Sequence, residues 1–357
     1  MESAQKTHAE NNGAILEIAE NTKIRSGSVV RAQNNHRSRA TPDHHAMPRT
    51  MIAKPLIACA KLGLSAGLII WFGQQFDWRL IQQNLGEMRP TSAISCLGCM
   101  LLITIVSGLR WHMVMSELRL PLSRKFALSS IFVGAFFSQV FPTSVGGDAV
   151  RVWHVWRKGT PKGSAFLSVL LERLSGVAAL VVMVAIGTAL LNKEIDDAPI
   201  WFFLMAVLPA FGIGVLFISR LDKHNRLAWF PWLKNVSSLS MPVRRILFSW
   251  PLAPRLFMLS IGGHFLACLA LYSLAQGLDF PLSLLQCLGL LPSVILFSLI
   301  PISFAGWGIR EGAMVIMMGF AGLTPAMALS LSILFGLALL AASLPGLCLW
   351  MLRCPRF

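Results

Sequence analysis

The sequence predicts an all-α polytopic membrane protein, built as an inverted repeat of two halves that each hold three spanning helices and a re-entrant hairpin. Three observations lead there. The composition is apolar and arranged in runs of membrane-spanning length. Two of those runs are broken at matching decapeptides. Lysine and arginine fall between the runs on one predicted side.

Composition comes first. Of 357 residues, 55% are hydrophobic and only 13% are charged, against about 25% charged in a soluble domain. The chain is long enough for about six to eight crossings at roughly 20 apolar residues each, and its runs exceed the short apolar core of a signal peptide. The net charge of +15 does not mark a nucleic-acid binder. The basic residues form no single face and cluster between apolar runs, as cytoplasmic loops facing anionic lipid do. The cysteines are Cys59, Cys96, Cys99, Cys268, Cys287, Cys348 and Cys354. Most sit inside apolar segments, where a thiol acts as a small hydrophobe. Cys96 and Cys99 form a lone CxxC without a second pair or nearby histidines, so no metal or cofactor is expected.

The elements follow in order. Residues 1–50 are polar, rich in Asn, Ser, Arg and His, and read as a disordered cytoplasmic tail. Residues 51–357 form the membrane domain, with halves at about 55–191 and 199–352. Spans are expected at 55–76 and 90–109, followed by a basic loop with Arg110, Arg119, Arg124 and Lys125. The apolar run 126–141 reaches about 24 Å, short of a hydrocarbon core of about 30 Å, and is expected not to cross. Further spans are expected at 164–191, 199–219, 256–278 and 326–352. The stretch 220–255 carries tryptophans and arginines and reads as interfacial. Residues 282–300 are apolar but interrupted by Pro292 and ended by Pro301.

The two breaks are PTSVGGDAVR, from Pro142 to Arg151, and PISFAGWGIR, from Pro301 to Arg310. They share Pro, Ser, Gly and Arg at the first, third, sixth and tenth places. Proline ends a helix and glycine permits a tight turn. Each break is therefore read as the tip of a re-entrant hairpin, with Pro142, Gly146 and Gly147 in one and Pro301, Gly306 and Gly308 in the other. Placing the hairpins on opposite sides makes the halves mirror images in topology, a plan found among secondary transporters. Of the 23 Lys and Arg after residue 54, seventeen then face the cytoplasm, while Arg79, Arg89 and Lys193 lie outside and Lys61, Arg173 and Arg310 at membrane depth. The positive-inside rule favours this arrangement.

Asp148 with Arg151, Glu172 with Arg173, and Arg310 with Glu311 stand in apolar or helix-breaking surroundings. A charge at bilayer depth costs about 2.5–3.5 kcal/mol on insertion scales, so it pairs or lines a wet cavity. Arg151, Arg173 and Arg310 are read as receivers of a lipid phosphate, since a guanidinium binds phosphate bidentately. Asp148, Glu172 and Glu311 would hold the arginines or exchange protons. Against this stands simple neutralisation of each acid by its basic neighbour, although neighbours on a helix face apart. The glycines Gly146, Gly147, Gly306 and Gly308 are read first as turn formers, with anion binding by their N–H groups a further role. His112, His154 and His264 read as core or interfacial histidines. No Walker motif or HExxH is present, and a nucleophile for covalent catalysis is not evident.

In order along the chain, FPTSVGGDAVR, LLERLSG at 170–176 and PISFAGWGIREGAM resemble the transmembrane region of lysylphosphatidylglycerol synthases. That region recurs as stand-alone flippase-like membrane proteins, some named for polyprenol-glycan or hopanoid pathways. The resemblance covers roughly 55–352. It implies a membrane domain that moves lipids between leaflets. In the full synthases an aminoacyl-transferase domain follows. With the chain ending at Phe357, that domain is expected to be absent, leaving translocation as the implied function.

The expectation is thus an inner-membrane, multi-pass lipid transporter with cytoplasmic termini and no enzymatic step. Its substrate would be a membrane lipid, either an anionic phospholipid or a polyprenyl-linked one. A second copy or a lipid-synthesis enzyme are the protein partners compatible with it, and nucleic acid is not. The alternatives are an integral-membrane enzyme, with Asp148, Glu172 or Glu311 as base, and an accessory subunit of a lipid or lipid-linked glycan pathway.

Overall fold

In this computed structural model the described residues are 83, 86–141, 145–191, 206, 209, 211–214, 216, 240–299 and 308–353. All lie in the compact unit Pro55–Phe357. The expected tail 1–50, the span 55–76, most of 199–219, and the tip residues Pro142, Pro301 and Gly306 lie outside them.

The first described segment contains α1 (Pro90–Glu117), α2 (Arg124–Val140), α3 (Gly146–Arg157) and α4 (Lys162–Leu190). A short helix, α5 (Ser240–Leu247), precedes a second segment of α6 (Leu252–Gly277), α7 (Leu284–Ser298), α8 (Ile309–Gly319) and α9 (Pro325–Arg353). Among the described residues, four helices are long and apolar enough to cross a membrane: α1, α4, α6 and α9. These correspond to the four expected spans that fall within the described residues. The chain is an all-helical, multi-pass membrane protein.

The helix ends follow from local chemistry. Pro90 opens α1, where its missing N–H costs nothing. Ser123 caps α2 by accepting from the Phe126 amide at 3.2 Å, and Ser283 with Gln286 forms a capping box on α7. At roughly 1.5 Å per residue, the 17 residues of α2 and the 15 of α7 reach only about 23–26 Å, less than the hydrocarbon core.

One expectation is corrected here. The helix was expected to end at 109 and release Arg110 into a basic loop. Instead α1 continues to Glu117, and Arg110 is a helix residue only 9% exposed. No proline or glycine between Leu109 and Glu117 stops the helix, and buried partners on two other helices hold the guanidinium.

The two segments correspond closely. Their helices run 28, 17, 12 and 29 residues in the first and 26, 15, 11 and 29 in the second. The turns that follow α1 and α6 read LRLPLS at 118–123 and LDFPLS at 278–283. Both place their second residue at positive φ, Arg119 at 57° and Asp279 at 53°. Both close with the same bonds. Leu120 N donates to Met115 O at 3.0 Å and Phe280 N to Ala275 O at 2.9 Å, and in each turn the leucine after proline donates two residues back at 2.8 Å.

The matched helices α1 and α6 run antiparallel. Arg89 N donates to Gly277 O at 3.1 Å, Ser273 Oγ to Ser92 O at 3.0 Å, and Arg110 Nη1 to Ser260 Oγ at 2.9 Å. The short α2 packs on α9, and the short α7 on α4, so each rests on the long final helix of the other segment. Between the spans, Trp111, Ile131, Val155 and Val169 close the core of the first segment. Leu271, Leu291, Met314 and Leu331 belong to the larger core of the second. Val243 and Ile246 seat α5 on Val114, Leu171 and Leu256.

Candidate functional site

The first segment buries a network of charged side chains at the meeting of α1, α3 and α4, with α6 closing one side. Glu172, on α4, is 2% exposed and is its centre. Its Oε1 accepts from Arg110 Nε at 3.0 Å and also from Arg110 Nη2, while its Oε2 accepts from Arg151 Nη2 at 2.9 Å. Arg151 Nη1 reaches Asp148 Oδ1 at 3.0 Å, one helical turn back on α3. Arg173 completes the set with Nε and Nη2 on the two oxygens of Asp148, at 2.9 and 3.0 Å. Arg110 continues outward to Ser260 of α6.

The backbone makes this proximity possible. A Cβ on Gly147 would lie 2.0 Å from the Gly134 carbonyl oxygen, so only glycine lets α3 approach α2 there. The approach sets Arg151 over the Trp111 indole, 4.3 Å from the ring centroid. A cation over an indole face gains electrostatic attraction that grows as water is removed. Trp111 is itself held by its Nε1 donating to Ser168 Oγ at 3.3 Å.

The network carries three guanidiniums and two carboxylates, a formal surplus of one positive charge. Arg151 is 3% exposed, and its Nε has no hydrogen-bond partner among the described residues. An orphaned buried donor is costly and marks a place where an acceptor fits. Beside it lies a cavity of about 150 Å³ lined by Ser107, Ser138 and the four charged residues of α3 and α4, together with Arg110. A polar space of this size is large enough to admit water or a small anionic group. The side chain of Arg173 is 46% exposed and forms the outer edge of the network.

Four of the residues singled out from sequence therefore converge: Asp148, Arg151, Glu172 and Arg173. Glu172 and Arg173 do not pair with each other. They point to different partners, Glu172 to Arg110 and Arg151, and Arg173 to Asp148. Arg310 and Glu311 form a separate buried pair on α8. Arg310 Nε and Nη2 lie 3.1 and 2.6 Å from Glu311 Oε1, so here the neighbours do pair. Glu311 Oε2 also accepts from the Gly308 amide at 2.5 Å, and Ser332 of α9 donates to its Oε1 at 3.3 Å. Gly308, at φ 90°, is the turn former that a side chain would strain. Gly146 and Gly147 are the first residues of α3. Among the described residues no group of three His, Cys, Asp or Glu is placed to hold a metal.

Sequence reasoning missed Arg110, Trp111 and Ser260. Arg110 could have been found from the absence of any helix breaker before Glu117. Ser260 carries no signal of its own, because its role is set by a helix 150 residues away.

A family model, described as the lysylphosphatidylglycerol synthase TM region, matches residues 58–346. The chain belongs to this family. The match covers every charged residue of both networks and places the chain among integral membrane proteins of lipid metabolism or transport. No curated protein matches the chain. For a member of the lysylphosphatidylglycerol synthase TM region family, an arginine network in the membrane domain is chemistry suited to a phosphate-bearing headgroup.

Proposed function

We propose that this chain is a flippase-like transporter that carries an anionic or lipid-linked headgroup between leaflets of the inner membrane. The observation that carries the reading is the buried surplus of arginine, with the Arg151 Nε unsatisfied beside a polar cavity. An anion entering there satisfies that donor and cancels the excess charge. Arg173, at the exposed edge of the network, exchanges Asp148 for the headgroup phosphate and guides it toward Arg151. The acyl or prenyl chains stay in lipid, and the chain performs no covalent step.

The matched segments support an inverted repeat: α1 and α6 hold equivalent places and run antiparallel, and α2 and α7 trade partners across the halves. The short α2 and α7 support re-entrant hairpins, entering from opposite sides. The network lies seven residues from the end of α1, ten from the start of α4 and eight from the start of α6. That is about 10–15 Å along the helices, well inside a core of about 30 Å. Arg124, Lys125, Arg157, Lys158 and Lys162 cluster at the near end, which the positive-inside rule assigns to the cytoplasm together with both termini.

The test is transport in liposomes. Purified protein is reconstituted with fluorescent phosphatidylglycerol or a polyprenyl phosphate, and inward and outward pools are read by quenching. The protein accelerates exchange, Arg151→Ala slows it at least about tenfold, the equivalent of 1.4 kcal/mol, and Arg151→Lys retains part of the rate. A wild-type protein that moves no member of an anionic-lipid panel removes the proposal.

A further inference from the structure

The corner between α3 and α4 carries exposed aromatic and basic side chains that the central network does not use. At the end of α3 the Lys158 and Gly159 amides donate to Val155 O at 3.1 Å and Trp156 O at 3.0 Å. Gly159, at φ 87°, turns the chain, and Pro161 leads into α4 at Lys162. This short turn holds two cations over two indoles. Arg157 Cζ lies 4.9 Å from the Trp153 ring centroid, one helical turn back, and Lys162 Nζ lies 4.5 Å from that of Trp156, across the corner. Both tryptophans are exposed, as are Arg157, Lys158 and Lys162. Ala127, Val155 and Ala165 share one buried cluster, which brings the start of α2, with exposed Arg124 and Lys125, to the same corner. Five cations therefore gather there. The only carboxylate between residues 118 and 171 is Asp148, which Arg151 and Arg173 already hold. Among the described residues no carboxylate pairs with any of the five.

We infer that this corner is a docking surface for the phosphate-bearing headgroup of an anionic lipid, separate from the arginine network. Charge complementarity sets the sign of the occupant, since five cations face no carboxylate. The aromatic side chains set its source. Indoles beside basic groups are the composition of a membrane–water interface. Phe166, one turn past Lys162, is 54% exposed on a helix of membrane-crossing length. A lipid meets both features at once, its phosphate against the cations and its chains beside Phe166. A soluble acidic partner covers the cations and leaves that apolar surface bare. The indoles also restrain the basic groups, so less side-chain freedom is lost when a phosphate arrives. Arg157 stands six residues past Arg151 on α3, and Lys162 ten before Glu172 on α4. Those are about 9 and 15 Å along the helices. A docked headgroup is thus concentrated at the rim of the transport site. That role rests on the transport reading and adds the class of lipid collected, one with a net negative headgroup.

Photo-crosslinking tests this with the full chain in nanodiscs of mainly phosphatidylcholine. A minor fraction of phosphatidylglycerol carries a photoreactive group near its headgroup. Labelled peptides map to residues 153–166. Arg157→Gln with Lys162→Gln lowers that labelling at least about tenfold, given the contribution of each cation to anionic-lipid attraction, and Arg157→Lys with Lys162→Arg retains most of it. Trp153→Leu with Trp156→Leu lowers it too, although every cation is still present. Arg119→Gln with Arg255→Gln removes the same charge elsewhere at this end of the bundle and changes labelling by less than about twofold. An equal drop in that control overturns the docking surface in favour of diffuse attraction. Equal labelling by a phosphatidylcholine probe overturns the headgroup assignment. Competition by soluble glycerophosphate as strong as by intact phosphatidylglycerol shows a free-phosphate site and overturns the lipid assignment. The readout is binding alone, so failure here leaves the reading of the central network standing, and failed transport with intact labelling removes only that reading.

Discussion

The two segments share helix order, helix lengths and turn geometry, yet they use their equivalent arginines differently. In the first, Arg151 joins Arg110, Arg173, Asp148 and Glu172 into a network across three helices. In the second, Arg310 is held by its own neighbour Glu311, braced by Gly308 and Ser332. The difference arises in the surrounding helices. Arg110 is the eighth residue from the end of α1, and the residue at that place in α6 is the buried Ala270. Glu172 is the eleventh residue of α4, and the eleventh of α9 is Phe335. Next to it, Arg173 is matched by Gly336, where a Cβ would lie 2.4 Å from Arg310 Nη2. Among the described residues, the second segment thus gives its arginine space and the Glu311 carboxylate, and the first gives it a charged network with a cavity. A shared scaffold positions a guanidinium; the facing helices decide which carboxylates it meets.

That contrast can be broken most directly at the acids. Glu172→Gln leaves two buried guanidiniums short of charge, and breaking a buried pair costs about 3–5 kcal/mol. Glu311→Gln leaves one, with the amide oxygen still able to accept, at about 1–3 kcal/mol. Thermal unfolding in detergent should rank them in that order. Equal losses would mean the first segment's network has no special dependence on Glu172.

A smaller effect separates the glycines. Gly147→Ala forces α3 from α2 against backbone and costs about 1–3 kcal/mol as overpacking. Gly308→Ala meets strain from its positive φ, also about 1–3 kcal/mol. Transport distinguishes them: Gly147→Ala displaces Arg151 and slows exchange, while Gly308→Ala acts mainly on melting temperature. If both alter exchange alike, the two segments contribute equally to the path.

The smallest effect is expected where the segments meet at the far end. Arg89 and Asp279 form an exposed pair at 2.7 Å. Asp279→Asn keeps a residue tolerant of positive φ and should cost less than about 1 kcal/mol, a loss that high salt reproduces in the parent protein. A larger change in melting temperature would show that this turn, and not the buried network, locks α1 to α6.

Much of this organisation could be read before any fold was known. Apolar run length identified the four spans that fall within the described residues, and the Pro, Gly and Arg shared by the two breaks flagged Arg151 and Arg310. The repeat is written more plainly in LRLPLS and LDFPLS, an overlooked signal because it lies in turns and not in the charged decapeptides. Arg110 was misplaced because a run of hydrophobicity ends where charge begins, whereas a helix ends only where its backbone bonding stops. The pairing of Arg310 with Glu311 was open in the sequence as the alternative of simple neutralisation, and the start of α8 decides it, where Gly308 turns the chain and its amide fixes one carboxylate oxygen.

What the sequence by itself determined is therefore the solvent of this protein, its helices and the positions of its costly charges. Those follow from local properties: transfer energy per residue, helix periodicity and backbone breakers. Only the tertiary structure decided which charges are spent on each other and which keep an unmet donor beside a cavity. That choice depends on side chains far apart in sequence, Arg110 and Glu172 on facing helices or Ser260 on a third, meeting where water cannot screen them.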